Sequence, residues 1–198
     1  MKRLAILISN AGKGTNLQAI IDGINLRQIK AQIVLVISDS DQAQGLIRAK
    51  ENNIETLVIS KEDYLEKILK QEKVDYVCLT GWKQIIPDSL IDNFKILNIH
   101  PGLIPDTKDG IVKNPDGTEA LWNKGKFTTV AIQNFLDQKS TYAGSTVHFL
   151  SHEFDFGPVL ERVFVKVEAF DTVESLYNKL KIEENKAYVK ALERLCNE

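Results

Sequence analysis

Short apolar runs alternate with helical patterns of apolar residues through the first half of the chain. Residues 4–8 form a continuous apolar run, which is typical of a strand buried on both faces. After them, Leu17, Ile20, Ile21 and Ile24 recur at helical spacing. The same alternation predicts further strands at 33–37, 55–59, 76–79 and 96–99, and helices at 16–24, 43–50 and 61–71. The pattern therefore predicts βαβ units in an α/β fold with a doubly wound, mostly parallel sheet.

The second half departs from this rhythm. Residues 101–125 are rich in proline and glycine and predict one long loop, a length that in compact domains is often functional. A helix is predicted at 127–136, and strands at 145–150 and 159–167 are expected to pair antiparallel near the sheet edge. An amphipathic helix at 172–196 closes the chain. No linker is evident, so we expect a single domain, 1–198, with a long loop insert at about 101–142.

Composition and charge argue against nucleic-acid-binding, membrane and disulfide-rich proteins. The chain has 198 residues, 43% of them hydrophobic, which suffices for one well-packed core. With 25 basic and 27 acidic residues, it offers no basic footprint for nucleic acid or for an anionic membrane surface. The first apolar run is too short for a signal peptide, and no membrane span is evident. Cys78 and Cys196 do not suggest a disulfide scaffold, so we expect a cytoplasmic protein that acts on small molecules.

The first candidate site directly follows the first strand and opens the first helix. It comprises Gly12, Lys13, Gly14, Thr15 and Asn16. Glycines let the backbone approach a ligand closely, and the amides of a helix N-terminus suit a phosphate. The spacing is neither that of a Walker A loop nor that of a full dinucleotide fingerprint. The alternative is a tight strand-to-helix turn with Thr15 as the N-cap.

The second candidate site ends the fifth predicted strand. Asn98 and His100 are two positions apart, so they share one face of the strand. The carboxyl ends of parallel strands form the ligand crevice of such sheets. An amide can stabilise a tetrahedral oxyanion and an imidazole can polarise the same oxygen or move a proton, a pairing that suits acyl transfer. The alternative is a buried polar pair that only anchors the following loop.

The third candidate is Asp155, which lies between two phenylalanines and precedes a Gly-Pro turn. A carboxylate there can orient an imidazole and raise its pKa, although Asp before Gly-Pro also serves ordinary turns. His148 lies in an alternating run and is expected to line the core, whereas His152 is expected to be solvated. The histidines and cysteines show no metal-ligand spacing, so we expect no metal site.

At this point the chain resembles the phosphoribosylglycinamide formyltransferases of the folate-dependent purine pathway. The similarity covers most of the chain, and the most specific part is the stretch from Leu97 to Pro105. The segments that carry it are 12–20, 37–39, 45–49, 79–87, 97–105, 144–149 and 155–159. The resemblance implies a Rossmann-like formyltransferase fold and an enzyme that moves the formyl group of 10-formyltetrahydrofolate to the amine of 5-phosphoribosylglycinamide.

The resemblance also implies residue roles. Asn98 would stabilise the oxyanion, His100 would act as a proton donor, and Asp155 would keep the imidazole charged and help to relay the proton. The 12–16 loop would hold the ribose phosphate. Lys181 and Glu184 match the family's nucleotide contacts on the last helix. The folate-binding set would be Trp82, Lys83, Gln84, Ile85, Ile86 and Asn98.

Two departures from the family concern substrate recognition. The segment after Pro105 is longer than usual, so the loop over the active site is expected to be rebuilt, with Trp122 as a candidate contact. Gln84 stands where the family often has arginine, so Lys83 could instead bind the acidic tail of the folate. The protein is expected to be a monomer or a homodimer.

Three rival functions remain open at this stage. One is a formyltetrahydrofolate hydrolase, although the family's hydrolases usually carry an extra N-terminal domain. Another is an amino-sugar N-formyltransferase, although those relatives lack the Gly14-Thr15-Asn16 loop. The third is a nucleotide-binding module without turnover, which would not need Asn98, His100 and Asp155 together.

Overall fold

The computed structural model describes residues 1–10, 12–59 and 64–197. In chain order its elements are β1 (Lys2–Ile8), α1 (Thr15–Asn25), β2 (Ala31–Ser38), α2 (Gln44–Glu51), β3 (Thr56–Val58), α3 (Leu65–Gln71), β4 (Tyr76–Leu79), α4 (Asp88–Asn93), β5 (Lys95–His100), α5 (Thr128–Asp137), β6 (Tyr142–Phe149), β7 (Val159–Lys166) and α6 (Val173–Cys196). The described strands make a seven-stranded sheet that is mostly parallel with an antiparallel edge, which confirms the predicted fold class.

The chain divides into two compact units, and the first comprises the described residues of Met1–Asn98 and Leu192–Glu198. Within it the strands are parallel and follow the order β3-β2-β1-β4-β5. Leu4, Ala5, Ile6 and Leu7 of β1 are fully buried. A strand covered on both faces must be apolar throughout, which is why β1 reads as one continuous hydrophobic run.

The second unit, Ile99–Ala191, contains the antiparallel pair of β6 and β7. Its core includes Leu103, Ile132, Phe135, Leu176 and Leu180, which come from the long loop, from α5 and from α6. The loop from 101 to 126 contains no helix and only one isolated bridge, between Lys113 and Glu119. The prediction of a single domain stays a prediction.

Most predicted elements lie within a few residues of the observed ones, with two differences. The helix α4, Asp88–Asn93, was not predicted, because six residues are too few for a helical period to stand out. For the helix predicted at 61–71, residues 61–63 lie outside the described residues, and α3 begins at Leu65. Along α3, Leu65 and Leu69 are buried.

No helix in the described part of the chain is both long and apolar enough to cross a membrane.

Candidate active site

A histidine and a carboxylate meet in the second unit. His100 is the last residue of β5, and Asp155 lies in the turn between β6 and β7. His100 Nδ1 is 3.3 Å from Asp155 Oδ1, and the histidine side chain is only 2% exposed. Asp155 has a left-handed backbone (φ 50°), which Asp tolerates better than most residues. The structure therefore brings together two of the three predicted catalytic residues.

The remaining polar atoms of this pair are bonded to the 101–126 loop. His100 Nε2 lies 2.7 Å from the Trp122 carbonyl oxygen, and the Gly125 N–H donates to Asp155 Oδ2 at 2.7 Å. Burial by itself raises the pKa of Asp155, but the neighbouring His100 and the Gly125 N–H outweigh it, and the pKa of Asp155 is lowered. Asp155 is therefore ionised at neutral pH.

Asn98 lies two residues before His100 on β5. Because side chains alternate along a strand, both project from the same face. Asn98 is half-buried. Asn98 and His100 are therefore an amide and an imidazole on one face of β5.

In the first unit the strand order reverses between β1 and β4. The chain runs outward through β2 and β3 on one side of β1, and β4 and β5 lie on the other side. Ligands of open parallel sheets bind at such a switch point, outside the carboxyl ends of the strands. The predicted phosphate loop follows β1, and the predicted folate segment follows β4. Both predicted binding segments therefore follow strands that flank the switch point.

The predicted phosphate loop contains polar atoms that are unsatisfied within the described chain. Gly14 is the N-cap of α1 with φ 69°, and the helix has no side-chain cap bond, so the alternative of Thr15 as N-cap is wrong. Thr15 Oγ1 and Asn16 Oδ1 are buried and have no hydrogen-bond partner within the described chain. Gly12 is half-buried and Lys13 is exposed. A helix start with free amides and an unsatisfied hydroxyl is suited to an anion.

Arg48 holds this loop from α2. Its Nε donates to the Lys13 carbonyl at 3.0 Å, and its Nη1 donates to Gln18 Oε1 at 3.1 Å. A Cβ at Gly14 would lie 3.1 Å from the Gly45 Cα, so the two glycines let the loop pack tightly on α2. Arg48 was missed by the sequence analysis, because nothing in its helical context distinguishes it from a solvated arginine.

The predicted folate segment is tied to the end of β1. The Lys83 N–H donates to Ser9 Oγ at 3.0 Å, and Ser9 Oγ donates to Asp39 Oδ2 at 2.7 Å. Gln84 also donates to Asp39 Oδ2, at 2.9 Å, so its amide is engaged within the protein. Ile85 is 82% exposed.

Two further members of the folate set are more enclosed than Ile85. Trp82 and Ile86 are half-buried. Trp82 Nε1 is buried without a partner in the described chain. The segment therefore combines exposed apolar surface with an unsatisfied donor.

Lys181 and Glu184 meet on one face of α6, as their spacing predicts. Lys181 Nζ is 2.9 Å from Glu184 Oε2, and the Ser145 hydroxyl donates to Glu184 Oε1 at 2.7 Å. Glu184 is 5% exposed. Ser145, on β6, was missed as the residue that orients this carboxylate, because only tertiary packing brings residues 39 positions apart into contact.

The other histidines agree with expectation. His148 is fully buried in β6, and burial first, then the positive charge of His100, lower its pKa from 6.5 to about 4. His152 is exposed. Within the described ranges, no cluster of three or more His, Cys, Asp or Glu side chains is arranged to hold a metal ion.

Comparisons with known proteins identify the family of this chain. The family model described as "Formyl transferase" matches residues 2–192. A chloroplastic phosphoribosylglycinamide formyltransferase of Arabidopsis thaliana is 31% identical over the whole chain, and a trifunctional purine biosynthetic protein adenosine-3 of Bos taurus is 33% identical over 98% of it. The chain spans 66% of the plant protein and 18% of the bovine one.

A solved structure of comparable length is also similar. The glycinamide ribonucleotide transformylase 1 of Symbiobacterium toebii superposes with a TM-score of 0.82 at 32% identity, covering 100% of this chain and 88% of that one. The sequence match and the fold match both extend through the residues of the site. The chain therefore belongs to the formyl transferase family, among the phosphoribosylglycinamide formyltransferases.

Proposed function

We propose that this chain transfers the formyl group of 10-formyltetrahydrofolate to the amine of 5-phosphoribosylglycinamide, a step of de novo purine biosynthesis. The observation that carries the proposal is the pair of buried His100 and half-buried Asp155, at 3.3 Å, in which His100 ends the strand that also carries Asn98. A phosphate-binding module would need the first loop only. A pair of this kind at a strand end instead supports group transfer.

The chemistry needs one bond made, one broken and one proton moved. The substrate amine attacks the formyl carbon, and the carbonyl oxygen becomes an oxyanion. We assign the Asn98 amide as the donor to this oxygen, with the positive charge of the His100 ring beside it. The bond between the formyl carbon and folate N10 then breaks. The amine loses one proton and N10 gains one, so that the sum of charges is unchanged, and the negative charge of Asp155 favours this transfer while it balances the His100 ring.

The loop at 12–16 is the proposed site for the ribose phosphate. The unsatisfied Thr15 hydroxyl, the amides at the start of α1 and the exposed Lys13 supply donors and charge. Leaving a buried hydroxyl unpaired costs about 1–3 kcal/mol, and a bound phosphate would recover that cost. Lys181 and Glu184 are the proposed contacts to the remainder of the nucleotide.

The segment 82–86 is the proposed folate contact, together with Asn98. Exposed Ile85 offers apolar area to a pteridine or benzoyl ring, and Trp82 Nε1 offers a buried donor. Because Gln84 is bonded to Asp39, the exposed Lys83 side chain is the better candidate for an acidic folate tail. We further propose a cytoplasmic monomer or homodimer that needs no metal and has no nucleic-acid or membrane partner.

The test measures folate-dependent formylation of glycinamide ribonucleotide and, in parallel, release of formate. We expect Asn98→Ala and His100→Ala to lower kcat on the order of a hundredfold or more, with a much smaller effect on nucleotide affinity. His152→Ala, which removes an exposed histidine, is the matched control and should retain wild-type kcat. Formate release without formylation of the ribonucleotide would identify a hydrolase. If neither activity is detected, the chain would instead be a nucleotide-binding module without turnover.

A further inference from the structure

The 101–126 loop reaches both members of the ion pair with backbone groups. We propose that residues 121–125 of this loop are a positioning element, which fixes His100 and Asp155 in their reactive geometry before any substrate binds. The Trp122 carbonyl holds the far nitrogen of the ring, and the Gly125 N–H holds the far oxygen of the carboxylate. The expected effect on kcat rests on the proposed function. The fixed geometry of His100 and Asp155 does not depend on it.

Hydrogen-bond chemistry determines where the ring hydrogens lie. A backbone carbonyl oxygen only accepts, so His100 Nε2, 2.7 Å from the Trp122 oxygen, must carry a hydrogen. His100 Nδ1 faces Asp155 Oδ1 at 3.3 Å, and an ionised carboxylate also only accepts. Both ring nitrogens therefore face acceptors, and Nε2 is the nitrogen whose hydrogen the Trp122 carbonyl fixes.

The positioning element is itself attached to the turn that carries Asp155. Trp122 Nε1 donates to the Asp155 carbonyl at 2.9 Å, and the Trp122 ring lies 5.8 Å from the Phe156 ring at a tilt of 51°. Lys124 lies 4.8 Å above the Trp122 ring and pairs with Glu153 at 2.8 Å. Several contacts of different kinds therefore hold residues 121–125 against the turn that carries Asp155.

The base of the element is also fixed. The Leu103 N–H donates to the Leu121 carbonyl at 2.9 Å. Asn123, only 5% exposed, donates to the Pro101 carbonyl at 3.1 Å and accepts from the Asn134 side chain at 2.7 Å. These contacts secure the backbone on both sides of Trp122, so its carbonyl has a defined direction. Fixed dipoles of this kind raise rates because they need no rearrangement during the reaction.

Gly102 shows how tight the contact is. A Cβ at this position would overlap the Trp122 carbonyl oxygen and would lie 2.9 Å from His100 Nε2. Gly102→Ala must therefore displace the Trp122 carbonyl, and it also crowds His100 Nε2, although it replaces none of the residues His100, Asp155 and Asn98. Gly117, in the same loop, has open space around its Cβ position and φ 84°. Gly117→Ala strains the loop without a collision, so it is the matched control.

The kinetic test compares these two variants with the wild type. We expect Gly102→Ala to lower kcat about tenfold or more while KM for both substrates changes less than about twofold, and Gly117→Ala to retain wild-type kcat. If Gly102→Ala does not fold, Trp122→Phe replaces it. That variant keeps a ring but loses the bond to the Asp155 carbonyl, and a several-fold lower kcat is expected. An unchanged kcat in the folded variant would overturn the proposal.

The spectroscopic test does not depend on turnover. In 15N-labelled wild-type protein at neutral pH, the Nε2 of His100 should carry a hydrogen that is slow to exchange. In Gly102→Ala that protection should disappear, and in Gly117→Ala it should remain. A wild-type Nε2 without a hydrogen would contradict the positioning role even if the enzyme is active. Conversely, absent formylation with the expected spectrum would reject the proposed function and keep the positioning role.

Discussion

The loop after β1 and the surroundings of His100 differ in how fully their polar atoms are satisfied. In the loop, Thr15 Oγ1 and Asn16 Oδ1 are buried without partners in the described chain. At the other site, both nitrogens of His100 and both oxygens of Asp155 have a protein neighbour at 3.3 Å or less. The loop after β1 therefore resembles a ligand-binding site that lacks its ligand's hydrogen bonds. The surroundings of His100 resemble a site whose side chains are already held in place by the protein.

This difference reflects two physical requirements. A binding loop gains affinity when the ligand supplies hydrogen bonds that the free protein lacks. A catalytic group gains rate when its orientation and charge are already established in the free protein. The same contrast predicts that variants in the two regions will separate affinity from turnover.

The largest effect is expected where the prearranged pair is broken. Asp155→Asn keeps the size of the side chain and removes the charge that balances His100. We expect kcat to fall on the order of a hundredfold or more, because proton transfer by a positioned group contributes about that factor, with little change in nucleotide affinity. Steady-state kinetics and calorimetric nucleotide titration would measure the two quantities. A large loss of affinity with normal kcat would show that the contrast between the regions is wrong.

A somewhat smaller effect concerns stability in acid and involves His148. Its pKa is lowered from 6.5 to about 4 in the folded protein, so the unfolded chain binds more protons between those values. Stability is therefore full above pH 6.5, falls as the pH drops, and levels off below about pH 4. The loss amounts to about 3 kcal/mol.

Urea unfolding between pH 7 and 4 would measure this loss of stability caused by His148. In His148→Gln the wild-type loss over that range should be largely absent, because no histidine at this position titrates in the unfolded state. The lowered pKa of Asp155 acts at more acidic pH, where its stabilising charge is lost only as the pH falls through that pKa. An unchanged pH dependence in His148→Gln would mean that other groups cause the acid sensitivity.

The smallest change in the free energy of unfolding is expected for Thr15→Val, which tests the loop at 12–16 most specifically. Thr15→Val removes a buried hydroxyl that has no partner, so unfolding free energy should stay the same or rise by up to about 1 kcal/mol. Affinity for the phosphorylated substrate should nevertheless fall about tenfold. Ser145→Ala is the matched comparison, because its hydroxyl donates to buried Glu184 and its loss should cost about 1–3 kcal/mol of stability. Equal destabilisation by both variants would contradict the account of the loop.

The fold could be predicted from the sequence to a large extent. Buried parallel strands are apolar at every position, so β1 and β4 are visible as runs, and β4 was predicted with its observed ends. The six-residue α4 was missed, and the start of α1 was misassigned because Gly14, with its left-handed backbone, is the N-cap in place of Thr15.

The sequence determined the chemistry of this protein: which residues are amide, imidazole and carboxylate, and that Asn98 and His100 share a strand face. That much follows from local periodicity and from family motifs. Only the tertiary structure decided that the insert reaches His100 and Asp155, through the Trp122 carbonyl and the Gly125 N–H. Backbone groups are identical at nearly every position, so no residue type marks which of them will meet a side chain. The path of the folded chain alone makes that choice.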